Sequence, residues 1–228
     1  MRSSYIGQAW LVLVLAISFG AALAGVELGL KRRIADNKRR FTIRKVPDVV
    51  PGADAKASDM DPIQVTVGAG KDETQYDVFR ALDHEGGQIG WVVKAAGKGF
   101  ADKIELLIGL DARAETITGV SILDHKETPG LGNKIEQIGD KSNKGFLWQF
   151  RYHHPRADRP LAITTASPKK DEPGEANRIK AVTGATISSK SVCNIINEAL
   201  SAELRGKLVA ALGATTRPAT TRTGPPEE

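Results

Sequence analysis

The stretch Val182-Thr183-Gly184-Ala185-Thr186-Ile187-Ser188-Ser189 leads directly into the most regular helical pattern of this chain. Beyond it, apolar residues recur at helical spacing: Val192, Ile195, Ile196, Ala199 and Leu200. This pattern predicts an amphipathic helix with one buried face, and Ser188 or Ser189 is its predicted N-cap. Thr186 would then lie where free backbone N–H groups and the helix dipole favour a phosphate.

A simpler interpretation of Thr183 and Thr186 is that they cap the helix or form the turn before it. A threonine hydroxyl is a poor nucleophile unless a base activates it, and the sequence places no histidine beside Thr186. Any covalent group on this side chain would therefore need a separate transferase.

A second glycine-rich segment, Glu127-Thr128-Pro129-Gly130-Leu131-Gly132, follows a predicted strand through Asp124-His125-Lys126. Pro-Gly favours a tight turn, and glycines permit backbone conformations closed to most residues. Main-chain N–H groups in such a turn can approach a planar ring or a phosphate closely. The alternative is an ordinary strand-to-helix connection, since Pro-Gly pairs are common in turns.

Strand patterns dominate the middle of the chain. Alternating or dense apolar runs predict strands over Ile63 to Val67, Tyr76 to Leu82, Ile89 to Val93, Ile104 to Leu110 and Thr116 to Leu123. The second and third flank a hairpin-like connection, and the apolar phase of the last slips at Gly119, which predicts a bulge. Strands and a few helices without regular βαβ alternation indicate one α+β domain over residues 63–205.

The N-terminal residues 1–30 form a predicted membrane anchor, because Ala9 to Val26 is apolar without interruption and long enough to span a bilayer. Cleavage of a signal peptide after Ala22-Leu23-Ala24 is the alternative. Residues 31–62 are predicted to form a charged stalk. Six basic residues follow the apolar run, a count that would place the domain in the cytoplasm. The Thr-, Pro- and Arg-rich residues 206–228 are predicted to be a disordered tail.

Composition excludes several function classes. The net charge of +5 lies largely behind the apolar segment and has no aromatic-basic platform, so no nucleic-acid partner is expected. Cys193 is the only cysteine, which excludes an intrachain disulfide and an iron–sulfur cluster, and its helical position predicts a packed thiol. The four histidines show no metalloprotease spacing. We expect neither a metal site nor a catalytic residue acting independently.

Taken together, these segments resemble the G subunit of the Rnf electron-transport complex, and less closely the C subunit of Na+-translocating NADH:quinone reductase. The resemblance rests on the N-terminal apolar helix and on four stretches in the same order and spacing: Ile104 to Asp111, Ile117 to Val120, His125 to Gly132 and Thr183 to Thr186. It covers the anchor and about residues 63–205.

The resemblance implies an FMN-binding domain with a mixed or antiparallel sheet flanked by helices, behind one transmembrane helix. It implies FMN bound to Thr186 through a phosphoester, which a flavin transferase makes from FAD. The implied cofactor-binding residues are Thr186 with Thr183, Gly184 and Ala185, together with Glu127, Thr128, Pro129, Gly130, Leu131 and Gly132.

The implied partners are the other subunits of a membrane complex, and the implied location is the outer, periplasmic face of the inner membrane, against the charge count. Such a complex passes electrons between ferredoxin and NAD and couples this to ion movement. Within it, His125, Lys126 and Glu127 are candidates for electrostatic tuning of a flavin, or else solvated loop residues.

The chain departs from the family pattern at Lys180, three positions before Thr183, where such motifs usually carry Asp. Lys180 either weakens recognition by the transferase or pairs with the FMN phosphate as a point charge. Two alternative functions stay open: an assembly subunit without covalent cofactor, and a soluble exported FMN-binding protein if the N-terminal segment is cleaved.

Overall fold

The computed structural model of this chain describes residues 3–56, 58, 61–70, 73–137, 145–166 and 177–215. It begins with one long helix, α1, over Ser3–Arg44. This helix contains an 18-residue window with a mean hydropathy of 2.3, none of it buried, and is long and apolar enough to cross a membrane. A signal sequence meets the same criteria, so retention of the anchor stays a prediction.

The chain divides into two compact units, one ending at Thr42 and the other beginning at Ile43. The second unit starts earlier than the sequence pattern suggested. A short helix, α2, spans Val46–Val49, and apolar side chains between Ile43 and Ala53 are buried in a small core with Phe79 and Leu107. The prediction of a charged stalk over residues 31–62 is therefore wrong for residues 43–53. Apolar residues scattered among charges and prolines are packed in this segment.

The rest of the second unit is built on a five-stranded antiparallel sheet in the order β1 to β5. Its strands are β1 Ile63–Val67, β2 Thr74–Leu82, β3 Gln88–Lys98, β4 Lys103–Asp111 and β5 Ile117–Asp124. All five predicted strands and the β2–β3 hairpin are confirmed. An antiparallel sheet flanked by helices also confirms the predicted α+β class.

The remaining elements follow the sheet in sequence. Two 3-10 helices span Gly132–Glu136 and Leu147–Phe150. A two-stranded parallel sheet follows, with β6 Ala162–Thr164 and β7 Arg178–Lys180. The chain then forms helices α3 Thr186–Ala199 and α4 Ala202–Thr215.

Both faces of the sheet are covered, which explains the dense apolar run of β4. Successive side chains of a strand point to opposite faces. Leu106 and Ile108 lie in the main core with Val192 and Ile196 of α3. Leu107 lies instead in the small core with the segment that follows α1. Strand β4 is therefore a central strand buried on both sides.

The segment after α1 lies against a notch made by two paired glycines, Gly109 on β4 and Gly119 on β5. A Cβ on Gly109 would collide with the carbonyl oxygen of Val49, and one on Gly119 would lie 2.8 Å from it. The hydroxyl of Thr118 donates to the same carbonyl at 2.6 Å. Thr118 is the extra residue where the β4–β5 register shifts, so the predicted bulge beside Gly119 is confirmed.

The C-terminal part corrects another prediction. Helix α4 continues to Thr215, with Leu204 and Leu208 buried in the main core. A disordered tail from residue 206 is therefore wrong as far as Thr215, because these leucines attach the helix to the domain. Residues 216–228 lie outside the described part of the chain.

Substituting Gly109→Ala should destabilise the domain by about 1–3 kcal/mol, because the new methyl group overlaps the Val49 carbonyl. Gly206→Ala, in α4 with no atom within 4 Å of the new Cβ, is the control and should be neutral or stabilising by up to about 1 kcal/mol. Urea unfolding of the full chain in detergent, followed by tryptophan fluorescence, to which the buried Trp91 contributes, measures both. If the Gly109→Ala protein is as stable as the wild type, close packing of Val49 does not require a glycine at position 109.

Candidate functional site

Helix α3 begins at Thr186, three or four residues earlier than an N-cap at Ser188 or Ser189 would place its start. Ala185 is its N-cap residue, and no side chain bonds the free N–H groups there. Gly184 has a φ of +82°, in the left-handed region that glycine adopts easily. The loop therefore turns sharply into the helix, and Thr186 is solvent-exposed at its first position.

Ser188 and Ser189 are not N-caps; both lie inside the first turn of α3 and are buried. The Ser189 hydroxyl donates to the Ala185 carbonyl at 2.8 Å and accepts from the Val182 amide at 3.1 Å. These two bonds fasten the loop that carries Thr186. Local sequence favoured serine as the cap, whereas both serines bond other groups: Ser189 bonds the loop before the helix, and Ser188 bonds Glu127.

Glu127 is the central buried polar group of the site, with 4% of its surface exposed. Its Oε1 accepts from the amides of Phe100 at 2.8 Å and Ala101 at 3.2 Å, in the β3–β4 turn. Its Oε2 accepts from the Ser188 hydroxyl at 2.7 Å. One carboxylate thus joins the β3–β4 turn, the glycine-rich turn and α3, so Glu127 is not a solvated loop residue.

The glycine-rich segment makes a tight turn of type II character. Proline occupies its second position and Gly130, with a φ of +77°, its third, and the Leu131 amide donates to the Thr128 carbonyl at 3.2 Å. Gly132 is required for a different reason. A Cβ there would lie 2.8 Å from both Cβ and Oε2 of Glu127. The turn therefore fits closely over the buried carboxylate.

These segments enclose a cleft of about 290 Å3. Seven of the predicted site residues line it: Glu127, Thr128, Leu131, Gly132, Gly184, Ala185 and Thr186. Thr183, Pro129 and Gly130 are not among its lining residues. Sequence reasoning missed Phe100 and Ile187, whose large apolar side chains also line the cleft and are 61% and 58% exposed. The signal that could have identified Phe100 is a single aromatic residue directly after a glycine, in the turn between two predicted strands.

A second, larger cleft of about 630 Å3 also has Thr186 among its lining residues. Its walls are the stretch Leu161–Thr165 and one face of α3, with Thr186, Lys190, Cys193 and Asn194. Asn197 holds the two walls together, because its side chain accepts from the Leu161 amide at 2.8 Å and donates to the Leu161 carbonyl at 2.9 Å. Thr186 is thus the residue common to both clefts.

The other predicted charged residues support the site from outside. His125 Nδ1 accepts from the Glu127 amide at 3.0 Å, and its Nε2 lies 2.6 Å from Glu136 Oε1, within ion-pair distance but without the angle of a hydrogen bond. Lys126 pairs with Asp102 at 2.8 Å, and this bond raises the pKa of Lys126 and lowers that of Asp102. Both side chains are exposed, so this pair contributes little to stability.

Lys180 lies on β7, where its backbone amide and carbonyl bond the side chain of Gln149. It is not among the lining residues of either cleft. The described residues contain no group of three His, Cys, Asp or Glu side chains suited to a metal. The site therefore consists of Thr186, the two clefts and the hydrogen bonds of the Glu127 carboxylate to Phe100, Ala101 and Ser188.

Comparison with known proteins assigns this arrangement to a family. Residues 99–201, which include both clefts, match the FMN-binding domain family. The G subunit of an ion-translocating oxidoreductase complex from Pseudoalteromonas atlantica is 30% identical over 186 residues, 79% of this chain and 80% of that protein. The chain belongs to this family of G subunits.

Other relatives match over a shorter span. The G subunit of the Na(+)-translocating ferredoxin:NAD(+) oxidoreductase complex of Acetobacterium woodii is 30% identical over 142 residues, 62% of this chain and 61% of that protein. Among solved structures, the C subunit of the Na(+)-translocating NADH-quinone reductase of Parabacteroides distasonis has a TM-score of 0.50 at 18% identity, covering 79% of this chain and 95% of that one. This likeness shows the fold alone.

Removing the hydrogen bonds of the Glu127 carboxylate should lower the stability of the domain. Glu127→Ala leaves two amides and the Ser188 hydroxyl without their acceptor, and should cost about 1–3 kcal/mol in urea unfolding. Ser188→Ala removes one of these bonds and should cost less. Glu127→Gln keeps the shape of the side chain, and its loss of stability should lie between those of Ser188→Ala and Glu127→Ala. If Glu127→Ala has the same urea midpoint of unfolding as the wild type, the hydrogen bonds of Glu127 do not stabilise the domain.

The thiol of Cys193 should be inert, as the packed position predicted. Only 1% of the residue is exposed, and burial raises the pKa of its thiol to about 12. Only about one thiol in ten thousand is then ionised at pH 8, and thiolate is the reactive form. Iodoacetamide at pH 8 should leave the folded chain unlabelled and label it after unfolding. Rapid labelling of folded protein, followed by mass spectrometry, would contradict this.

Proposed function

We propose that this chain is a membrane-anchored flavoprotein subunit that relays electrons through FMN bound covalently to Thr186. The observation that carries the proposal is the position of Thr186. This exposed hydroxyl lies at the uncapped start of a 14-residue helix and borders two clefts within the residues that match the FMN-binding domain.

The residues around Thr186 suit this cofactor. Free N–H groups at a helix start bind phosphate, and the first turn of α3 contains no acidic residue to repel it. The exposed side chains of Phe100, Leu131 and Ile187 offer apolar surface for a flat aromatic ring. FMN would supply the redox chemistry, while the protein would provide position and electrostatic environment.

Attachment would transfer FMN from FAD. The Thr186 oxygen attacks the phosphorus on the FMN side of the FAD pyrophosphate, a new P–O bond forms, and the bond to AMP breaks so that AMP leaves. The hydroxyl proton passes to a base of the flavin transferase. No histidine of this chain is among the lining residues of either cleft, which is consistent with an external enzyme supplying that base.

In the cell, the flavin would be one relay in a complex that passes electrons between ferredoxin and NAD and couples them to ion movement. The names of the related G subunits support this assignment. Helix α1 would anchor the protein in the inner membrane, with the FMN domain on the outer face. The other subunits of the complex and the flavin transferase would be its partners.

Lys180 favours one alternative, an assembly subunit of the same complex without covalent flavin. Intact-protein mass after co-expression with a flavin transferase separates the two functions. An adduct supports the relay. Uniformly unmodified protein, with the transferase active on a known substrate, supports assembly.

The attachment point is tested by Thr186→Ala, with Thr183→Ala as the matched control three residues earlier. Thr186→Ala should abolish protein-bound flavin fluorescence after denaturing electrophoresis, because the ester oxygen is lost. Thr183→Ala should keep it, because Thr183 borders neither cleft. Fluorescence that persists in Thr186→Ala would exclude this oxygen as the site.

A further inference from the structure

Lys190 lies one helical turn after Thr186 on α3, and both residues line the larger cleft. Residues four apart on a helix are neighbours on its surface. Helical side chains also lean toward the N-terminus, so each covers the turn before its own Cα. A lysine at position 190 can therefore reach the substituent that Thr186 would carry.

The charges around Lys190 leave its ammonium available. Its side chain is exposed, and within the described residues no carboxylate lies at ion-pair distance from it. Other lysines of the domain are engaged: Lys126 pairs with Asp102, and Lys207 with Glu203. The first turn of α3 contains no acidic residue and no capping side chain. The Glu127 carboxylate, which bonds Ser188 in that turn, lines the smaller cleft and not the larger one.

We propose that Lys190 is the counter-ion of the phosphoester on Thr186 and holds it on the larger-cleft side of α3. This inference rests on the proposed function, since the linkage provides the anion. A phosphate joined to both threonine and the ribityl chain keeps one negative charge. The ammonium and the N–H groups at the helix start act on that charge together. Lys190 is thus a positioning residue for the cofactor.

Lys180, the cation that the sequence brought forward for this role, is in a less suitable place. It lies on β7 and lines neither cleft. Lys190 replaces it as the phosphate partner by position, because it shares both a helix face and a cleft wall with Thr186. Both lysines are exposed, so comparing Lys180→Met with Lys190→Met decides which of the two lysines acts on the phosphoester.

The test uses the full chain, co-expressed with a flavin transferase and purified in detergent, as wild type, Lys190→Met, Lys190→Arg and Lys180→Met. Intact mass gives the extent of loading, and 31P NMR at low salt gives the environment of the phosphoester. Lys190→Met should shift the 31P resonance and remove its dependence on salt. Lys190→Arg should keep the salt dependence, and Lys180→Met should match wild type.

Loading rates provide a second readout. Lys190→Met should load up to about fivefold more slowly than wild type, the size of one exposed ion pair. Complete loss of loading in Lys190→Met with native circular dichroism would overturn the inference, because one exposed ion pair accounts for no more than about a fivefold change. Identical 31P resonances in wild type and Lys190→Met, or an equal change in Lys180→Met, would overturn it. Wild-type protein without any adduct would instead overturn the proposed function.

Discussion

The buried carboxylate of Glu127 joins three chain segments that are distant in sequence, and the smaller cleft exists because it does so. An ionised group inside a protein is costly unless hydrogen bonds replace the water it loses. Here two amides of the β3–β4 turn and the Ser188 hydroxyl supply them. Gly99 and Gly132 leave the necessary space, because a Cβ on either would strike the Glu127 side chain. The start of α3, and with it Thr186, is thereby fixed relative to the glycine-rich turn.

The sheet gives this site a rigid base. One face packs against α3 through Val192 and Ile196, while the other holds the residues between Ile43 and Ala53. The paired glycines on β4 and β5 belong to stretches that resemble the family, yet they receive the Val49 backbone and do not contact the site. In those stretches the two glycines therefore reflect packing of the segment after α1, whereas the proposed cofactor chemistry belongs to the two stretches that line the smaller cleft.

Sequence patterns predicted what depends on local periodicity: all five strands, the bulge beside Gly119 and helix α3. They did not predict features that depend on distant partners. The bond between Glu127 and Ser188 joins residues 61 positions apart. Ser188, predicted as an N-cap, is therefore a hydrogen-bond donor to a buried carboxylate. Residues from Ile43 to Ala53 looked like a stalk because their apolar side chains have no simple period. Lys190 was overlooked because only the larger cleft shows that it and Thr186 face the same space.

The central claim, FMN on the Thr186 oxygen, is tested most directly in membranes of the native host. Trypsin should release residues 181–190 as one peptide, since it cuts after Lys180 and Lys190. The account predicts that this peptide carries the mass of FMN less water, and that fragmentation places the adduct on Thr186 and not on Thr183, Ser188 or Ser189. Recovery of the peptide only in its unmodified form, from membranes in which the complex is active, would contradict it.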